Sequence, residues 1–213
     1  MLKENKMKIL WSTLLMLVPM ALGLCLWSRL PDRVPSHWNL AGEVDGYSSK
    51  AFAVFGLNGI LLACHLLCVI VTAMDPKRQN IRGKALTFVY WLVPVLGLAL
   101  SGGVYANALG LPVAMTSWVM AVLGALFLFV GNWMPKMQPN YSLGIRLPWT
   151  LHSEDNWRKT HRMAGPLWMV GGAVIMLSAF FGKPGMWVYL AAMAVIVIVP
   201  ILYSYGLYRK SGN

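Results

Sequence analysis

A metal or hydrolase site in this sequence would draw on eight side chains, which occur in three separate sets along the chain. The sets are His37, Glu43 and Asp45, then His65 alone, then His152, Glu154, Asp155 and His161. A catalytic or metal site needs several such groups at one place. The sequence contains no H-E-x-x-H, G-x-S-x-G or G-x-x-x-x-G-K-[ST] motif. We therefore predict no catalytic residues, no metal and no cofactor.

The chain segments that must position these three sets of side chains are apolar. Of 213 residues, 58% are hydrophobic and 12% are charged, against roughly 25% charged in soluble domains. Runs of 20, 24, 51, 20 and 25 residues lack Asp, Glu, Lys and Arg, and about 20 apolar residues cross a bilayer as a helix. The longest run divides at Gly110–Leu111–Pro112. The sequence predicts an all-α polytopic membrane protein with six spans, at about 9–28, 52–74, 86–107, 113–134, 164–182 and 186–208.

The net charge of +11 is concentrated on one side of this topology. Fourteen of the 18 Lys and Arg residues fall in the termini and the even-numbered connections. Because positive loops stay in the cytoplasm, both termini are predicted to be cytoplasmic. The charge reflects topology and contact with lipid, which argues against nucleic-acid binding. The first span is too long for a cleaved signal peptide, and we predict that it is retained.

We divide the chain, as one membrane domain overall, into three parts. Residues 1–74 hold two spans and an extracellular loop, 29–51, which we call the outer loop. Residues 75–134 hold spans three and four. Residues 135–213 hold a cytoplasmic loop, 135–163, which we call the inner loop, and the last two spans.

The outer loop is rich in turn-forming and aromatic residues. Pro31 and Pro35 disfavour helix, while Asn39 to Gly42 and Asp45–Gly46 indicate turns. The loop is therefore predicted to be compact. Its aromatic residues Trp38 and Tyr47 are either anchors in the headgroup region or part of a recognition surface.

The inner loop combines an ordered segment with a helix start. Asn140 to Trp149 is rich in Gly, Pro and aromatic residues. From Ser153, a predicted N-cap, we expect a helix with Glu154–Arg158 and Asp155–Lys159 pairs. Trp157 and His161 share one face of it, so a short interfacial helix is expected to lead into the fifth span.

Two polar residues stand out inside the predicted spans. His65 lies near the middle of span two, and Asn58 is on the same helix face. Ionisable groups inside a membrane are costly and suggest function. A neutral imidazole bonded to another span is the alternative to a proton relay.

The two long loops resemble known bacterial sequences. Leu30–Pro31, Val34–Pro35–Ser36–His37–Trp38–Asn39, Gly42, Asp45–Gly46–Tyr47 and Lys50 are similar to the signature of a small bacterial membrane domain of unknown function. Asn140–Tyr141, the run from Gly144 to Leu151, Ser153, Trp157, Thr160–His161–Arg162 and Gly165 are similar to the cytoplasmic signature of the SdpI family.

This resemblance implies a six-span immunity protein that gives resistance to a secreted antimicrobial killing peptide. It also implies a sensor that recruits a cytoplasmic repressor to the membrane. By position, the toxin-sensing side would be His37, Trp38, Asn39, Gly42, Asp45, Gly46 and Lys50. The partner-facing or relay side would be Asn140, Gly144, Arg146, Pro148, Trp149, Trp157, His161 and Arg162.

Two other functions stay open at the level of sequence. One is a small transporter or exporter of an amphipathic substrate, with Asn58, His65 and Pro94 as its site. The other, less favoured, is a metal-dependent membrane enzyme built on one long loop.

Overall fold

The computed structural model describes residues 1–211, and most of them are helical. The long helices are α1 (Lys6–Cys25), α2 (Leu57–Met74), α3 (Lys84–Ala108), α4 (Met115–Trp133), α6 (Glu154–Ser178) and α7 (Gly182–Lys210). A short helix, α5 (Pro148–His152), lies in the inner loop, and two strands, β1 (Arg33–Trp38) and β2 (Val44–Ser49), lie in the outer loop. The predicted all-α class is confirmed.

Five helical stretches are long and apolar enough to cross a membrane. Four of them, Lys3–Cys25, Phe52–Met74, Lys84–Ala108 and Met115–Lys136, correspond to the first four predicted spans. The fifth, Glu154–Lys210, has 57 residues, which at about 1.5 Å per residue far exceeds one bilayer. The number of crossings and the side of the termini stay predictions.

The fifth stretch folds back on itself. The chain reverses at Ala179–Phe181 and Gly182, which has a φ of +58°. The indole of Trp168 in α6 donates a hydrogen bond to the carbonyl of Ile196 in α7, at 2.8 Å. The two helices are thus an antiparallel pair, which is what two adjacent spans require.

The described residues cluster into two compact units of helices. The first comprises Met1–Met74 with Gly83–Val119, and the second comprises Asp75–Arg82 with the residues from Met120 onward. In the first unit, buried Leu30, Val34, Val54, Val104 and Tyr105 belong to one apolar cluster. The second unit is built around Met120, Ile175, Met186 and Ile196.

Within the second unit, α4 and α6 approach each other backbone to backbone at two glycine pairs. A Cβ on Gly124 would lie 2.7 Å from the carbonyl oxygen of Gly172, and one on Gly131 would lie 2.7 Å from that of Gly165. In the reverse direction, a Cβ on Gly172 would lie 2.7 Å from the carbonyl oxygen of Gly124, and one on Gly165 would lie 2.9 Å from that of Gly131. Small residues permit this close packing of helices in membranes.

The outer loop forms a β-hairpin, which the sequence did not predict. β1 and β2 are antiparallel, with Val34 opposite Ser48 and Pro35 opposite Tyr47, and the register shifts near His37. Val34 is fully buried in the first unit's apolar cluster, so the hairpin packs one face onto the helices. The prediction of a compact loop describes this segment correctly, but not its strands.

Candidate functional site

The tip of the hairpin is shaped by Asn39. The side-chain oxygen of Asn39 accepts hydrogen bonds from the backbone amides of Ala41 and Glu43, at 2.9 and 3.0 Å. The backbone N–H of Asn39 donates to the backbone carbonyl of Glu43. Gly42 has a φ of +83°, which glycine adopts without strain. Asn39 and Gly42, both predicted to be toxin-sensing, therefore set the geometry of the turn.

A polar pair occupies the exposed face of the hairpin. Nδ1 of His37 is hydrogen-bonded to Oδ1 of Asp45, and the two side chains are 72% and 43% exposed. Gly46 lies opposite His37, and a Cβ there would come within 2.8 Å of the His37 Cβ. Gly46 thus makes room for His37, and the pair is available to a partner.

The base of the hairpin is fixed by Lys50. Its ammonium lies 3.1 Å from Oδ1 of Asp32, donates to the carbonyl of Trp27 at 3.2 Å, and sits 5.5 Å from the centre of the Trp27 ring. Trp38 is half-buried against the apolar cluster of the first unit. These two predicted site residues attach the hairpin to the helices.

In the first unit, Asn58 joins three helices in a fully paired polar cluster. Its Oδ1 accepts from the Ser101 hydroxyl at 2.8 Å, and its amide nitrogen donates to the Val54 carbonyl and to Tyr105 Oη. Tyr105 Oη in turn donates to the carbonyl of Pro19 in α1, at 3.1 Å. Every polar group of Asn58 has a partner within the protein, which is how buried polar side chains stabilise a fold.

His65 is completely buried between α1 and α2. Nε2 lies 3.3 Å from the hydroxyls of both Ser12 and Thr13. The Ser12 hydroxyl also donates to the Ile9 carbonyl at 3.0 Å. Nδ1 has no hydrogen-bond partner among the described residues. The ring thus bonds to another helix, as the packing interpretation requires.

The inner loop is organised by a carboxylate that the sequence did not single out. Asp75 is 3% exposed, and its Oδ2 accepts from the amide of Tyr141 at 2.9 Å and from the Ser142 hydroxyl at 2.6 Å. Asn140, also buried, accepts the amides of Ser142 and Leu143. A buried carboxylate and a buried amide together fix this turn.

A stacked ring pair on α6 binds the next part of the inner loop. Nε2 of His161 accepts the amide N–H of Ile145 at 2.9 Å, so its Nδ1 donates to the carbonyl of Trp157 at 2.8 Å and the imidazole is neutral. The His161 and Trp157 rings stack with centres 4.1 Å apart. Gly144, with a φ of +97°, lies against His161, and a Cβ there would collide with Nε2.

The indole of Trp157 completes this attachment by donating to the Met137 carbonyl at 2.9 Å. Trp157 and His161 are each 1% exposed, so the predicted shared face is a protein-facing one. Ser153 caps α6 as predicted, and its hydroxyl accepts the amide of Asn156. Helix α6 is continuous with the fifth apolar stretch, so there is no separate interfacial helix.

The remaining inner residues divide between anchors and exposed cations. Pro148 opens α5, and the indole of Trp149 donates to the Ser204 hydroxyl at 2.8 Å and stacks on Tyr208. Arg146 is exposed and donates to the Tyr141 carbonyl. Arg162 is exposed, and no described residue pairs with it.

One predicted ion pair differs in the structure. Arg158 bonds Asp155 at 2.9 Å, not Glu154, while the expected Asp155–Lys159 pair is present at 2.6 Å. Asp155 therefore forms ion pairs with both Arg158 and Lys159, because residues three and four apart lie on one helix face.

Neither loop presents a catalytic arrangement in the described residues. Among residues 1–211, no group of three or more His, Cys, Asp or Glu side chains could hold a metal ion. What the two loops offer is an exposed hairpin and a tightly fixed turn with cations on its surface. This arrangement is suited to binding and to transmitting a change of shape.

The fold and the two loops are those of a polytopic α-helical membrane protein. One ordered loop follows its first long helix, and another precedes its last pair of long helices. Residues 14–62, which include the hairpin, match the domain of unknown function DUF1648, and residues 136–204 match the SdpI/YfhL protein family.

A curated relative extends this match over most of the chain. It is "Immunity protein SdpI" of Bacillus subtilis (strain 168), 25% identical over 192 residues, which is 88% of this chain and 89% of the relative. No solved structure matches. The resemblance indicated by the two loops is therefore confirmed: residues 136–204 are similar to the SdpI/YfhL protein family, and most of the chain is similar to this immunity protein.

Several residues of these loops escaped the sequence reasoning. Asp75 and Asn80, in the connection between α2 and α3, form hydrogen bonds to the inner loop. Thr150, Asn156 and Ser204 form the hydrogen bonds that fix α5 and join α6 to α7. The signal available for Asp75 was that it is the one acidic residue among the cations of 75–85.

Proposed function

We propose that this protein is an immunity protein of the bacterial plasma membrane that gives resistance to a secreted antimicrobial killing peptide. The observation that carries the proposal is that each of the two regions of family likeness contains one of the two ordered loops. A relative named as an immunity protein matches across both of them. On this view the activity is binding, with no chemical step.

The outer loop is the side that meets the peptide. His37 and Asp45 are exposed, whereas Asn39, Gly42, Gly46 and Lys50 hold the shape that presents them. A membrane-active peptide has to approach the bilayer surface from outside, where this loop is predicted to lie.

The inner loop is the side that meets a cytoplasmic partner, such as a repressor recruited to the membrane. Its exposed cations Arg146 and Arg162 flank the turn that His161 attaches to α6. A shift of α6 would move the Ile145 amide that His161 holds, and so change the surface of the loop. A peptide drives such a shift only if it binds one arrangement more tightly than the other.

The direct test is protection. The gene would be expressed in a Bacillus subtilis strain that lacks its own Immunity protein SdpI, and the cells would be exposed to medium conditioned by a strain that secretes killing peptide. We expect survival to rise with the wild-type gene. The double variant His37→Ala with Asp45→Ala should lose this protection while reaching the membrane in normal amounts. No protection by the wild type would contradict the proposal.

The sensing role needs a separate readout. A cytoplasmic repressor fused to a fluorescent protein should move to the membrane when peptide is added, and Arg146→Ala with Arg162→Ala should stop this movement without removing protection. Arg158→Ala is the matched control, since Arg158 pairs with Asp155 on an outward helix face. Equal loss in both variants would show a general charge effect.

The same strains separate the alternatives. Survival of protection after the loop changes, together with its loss in His65→Leu, would favour transport. Metal present in stoichiometric amount in the purified protein would favour the enzyme.

A further inference from the structure

The hairpin has two backbone edges, and they differ in what they offer to another chain. The Lys50 amide donates to the Asp32 carbonyl, so position 50 faces β1. Val34 stands opposite Ser48 in the same ladder. In antiparallel strands the backbone groups alternate between the partner strand and the opposite edge. Tyr47 and the Ser49 amide therefore face away from β1.

The corresponding edge of β1 is closed to pairing. Pro35, which is opposite Tyr47, has no N–H. β1 also carries Val34, which is fully buried against the helices. A proline at the outward-facing position of an edge strand prevents further pairing. The edge of β2 has no such block.

One face of the hairpin is open to solvent beside this edge. Asp45, Tyr47 and Ser49 are exposed, alternating with half-buried residues, and the Tyr47 side chain is 52% exposed. The Arg33 guanidinium lies 5.4 Å from the centre of the Tyr47 ring and holds it on the open face. The N–H and C=O of Tyr47 and the N–H of Ser49 thus form a short row of groups that an extended backbone complements.

The charged side chains beside this edge favour a positively charged partner. Lys50 is paired with Asp32, and Arg33 lies over Tyr47. The carboxylates at the tip are Glu43, hydrogen-bonded to Asn39, and Asp45, hydrogen-bonded to His37. Neither has a Lys or Arg partner among the described residues. A cationic peptide would find compensating charge here, and Lys-rich peptides are typical of membrane-active toxins.

We propose that the β2 edge of the hairpin binds a cationic, extended peptide segment as a third strand. Affinity comes from backbone hydrogen bonds at Tyr47 and Ser49, and charge selection comes from Glu43 and Asp45. Addition of a strand to an open edge is a general mode of peptide recognition. The identity of this peptide as a killing peptide rests on the proposed function, whereas the strand addition itself does not.

The binding test uses defined probes with the full-length protein in lipid nanodiscs. The first probe is an acetylated, amidated peptide of alternating Thr and Val flanked by Lys. The second is the same peptide with N-methylated Thr and Val, which cannot donate. We expect the first to slow hydrogen–deuterium exchange at the Tyr47 and Ser49 amides by about tenfold, with no change at Arg33, and the second to have no effect.

Charge selection is tested with a third probe that is flanked by Glu. It should require a several-fold higher concentration for the same protection. Equal protection by the Lys-flanked and Glu-flanked peptides would overturn the assignment of a cationic partner. No slowing at Tyr47 and Ser49 with the Lys-flanked peptide, or equal slowing at Arg33, would overturn strand addition.

A matched pair of variants carries the test into cells. Tyr47→Pro removes the outward N–H at a position that makes no ladder bond to β1, while Tyr47→Thr removes the ring and keeps the N–H. Tyr47→Pro should abolish exchange protection by the probe and protection from killing, and Tyr47→Thr should reduce both much less. Exchange at Ser48, which faces β1, reports whether the proline variant still forms the hairpin.

The two proposals fail in different ways. If the wild type gives no protection from killing but binds the probe, the immunity function is wrong and strand addition stands. If the wild type protects but Tyr47→Pro protects equally, strand addition is wrong and the immunity function stands.

Discussion

The two loops are held by contacts of very different range. In the hairpin, the Asn39 side chain bonds amides two and four residues away. In the inner loop, Asp75 bonds residues 66 and 67 positions away, and His161 bonds an amide 16 positions away. The hairpin therefore shapes its own tip, whereas the inner loop also depends on residues far away in sequence, on α6 and in the connection between α2 and α3. A change in the helices should reach the inner loop first.

The largest expected effect is Gly144→Ala. The φ of +97° is strained for alanine, and the new Cβ would meet Nε2 of His161. We expect a loss of about 3 kcal/mol in the stability of the inner loop, measured by hydrogen exchange at the Ile145 amide. The control is Gly102→Ala in α3, where a Cβ meets nothing within 4 Å. If Gly144→Ala leaves exchange unchanged, the loop is not held by this contact.

Asp75→Ala should loosen the same loop by a similar or slightly smaller amount. It leaves the Tyr141 amide and the Ser142 hydroxyl without their acceptor, at a cost of about 1–3 kcal/mol. Limited proteolysis between residues 137 and 147 should become faster, while cleavage within 39–43 stays as in the wild type. Faster cleavage in both loops would remove the contrast between them.

Asn39→Ala should affect the hairpin alone. The loss of two local hydrogen bonds from one side chain is expected to destabilise the tip by about 1 kcal/mol. Exchange at the Glu43 amide should accelerate several-fold, and exchange at Ile145 should not change. Asn39→Asp keeps the accepting oxygen but loses the amide that donates to Glu43, so its effect should lie between those of the wild type and Asn39→Ala.

The smallest effect on stability is expected for Asp45→Asn. Its partnership with His37 is exposed, and exposed pairs contribute about 0–1 kcal/mol. The unfolding midpoint should hardly move, whereas protection from killing should fall. A large drop in the midpoint would mean that the pair is structural.

The contrast in range explains what the sequence could and could not predict. Local rules gave the apolar spans, the Ser153 cap and the shared face of Trp157 and His161, since each depends on residues within a few turns of helix. The hairpin was missed because its strands lack an apolar–polar alternation and contain Pro35 and Gly46. Their stability depends on pairing with each other and on the packing of Val34 in the apolar cluster of the first unit, neither of which a local pattern shows.

The roles of individual site residues needed the tertiary structure. Asp75 stands out in the sequence only as the one acidic residue among the cations of 75–85, because its partners in the inner loop are more than 60 residues away. Likewise, Asn58 was recognised as polar within a span, but its partners Ser101 and Tyr105 on α3 could not be. In the inner loop, Trp149 and Trp157 suggested surface groups, yet each donates its indole proton to a specific protein acceptor.

The glycine pairs between α4 and α6 fix the register in which these two helices pack. Gly124 and Gly131 are seven residues apart, as are Gly165 and Gly172, so the two contacts repeat after two helical turns. One residue inserted between Gly124 and Gly131 would rotate the rest of α4 by about 100°. One of the two glycines would then no longer face its partner on α6. This stretch should accept many substitutions at its other positions but no insertion or deletion, which fixes the length of α4 ahead of the inner loop.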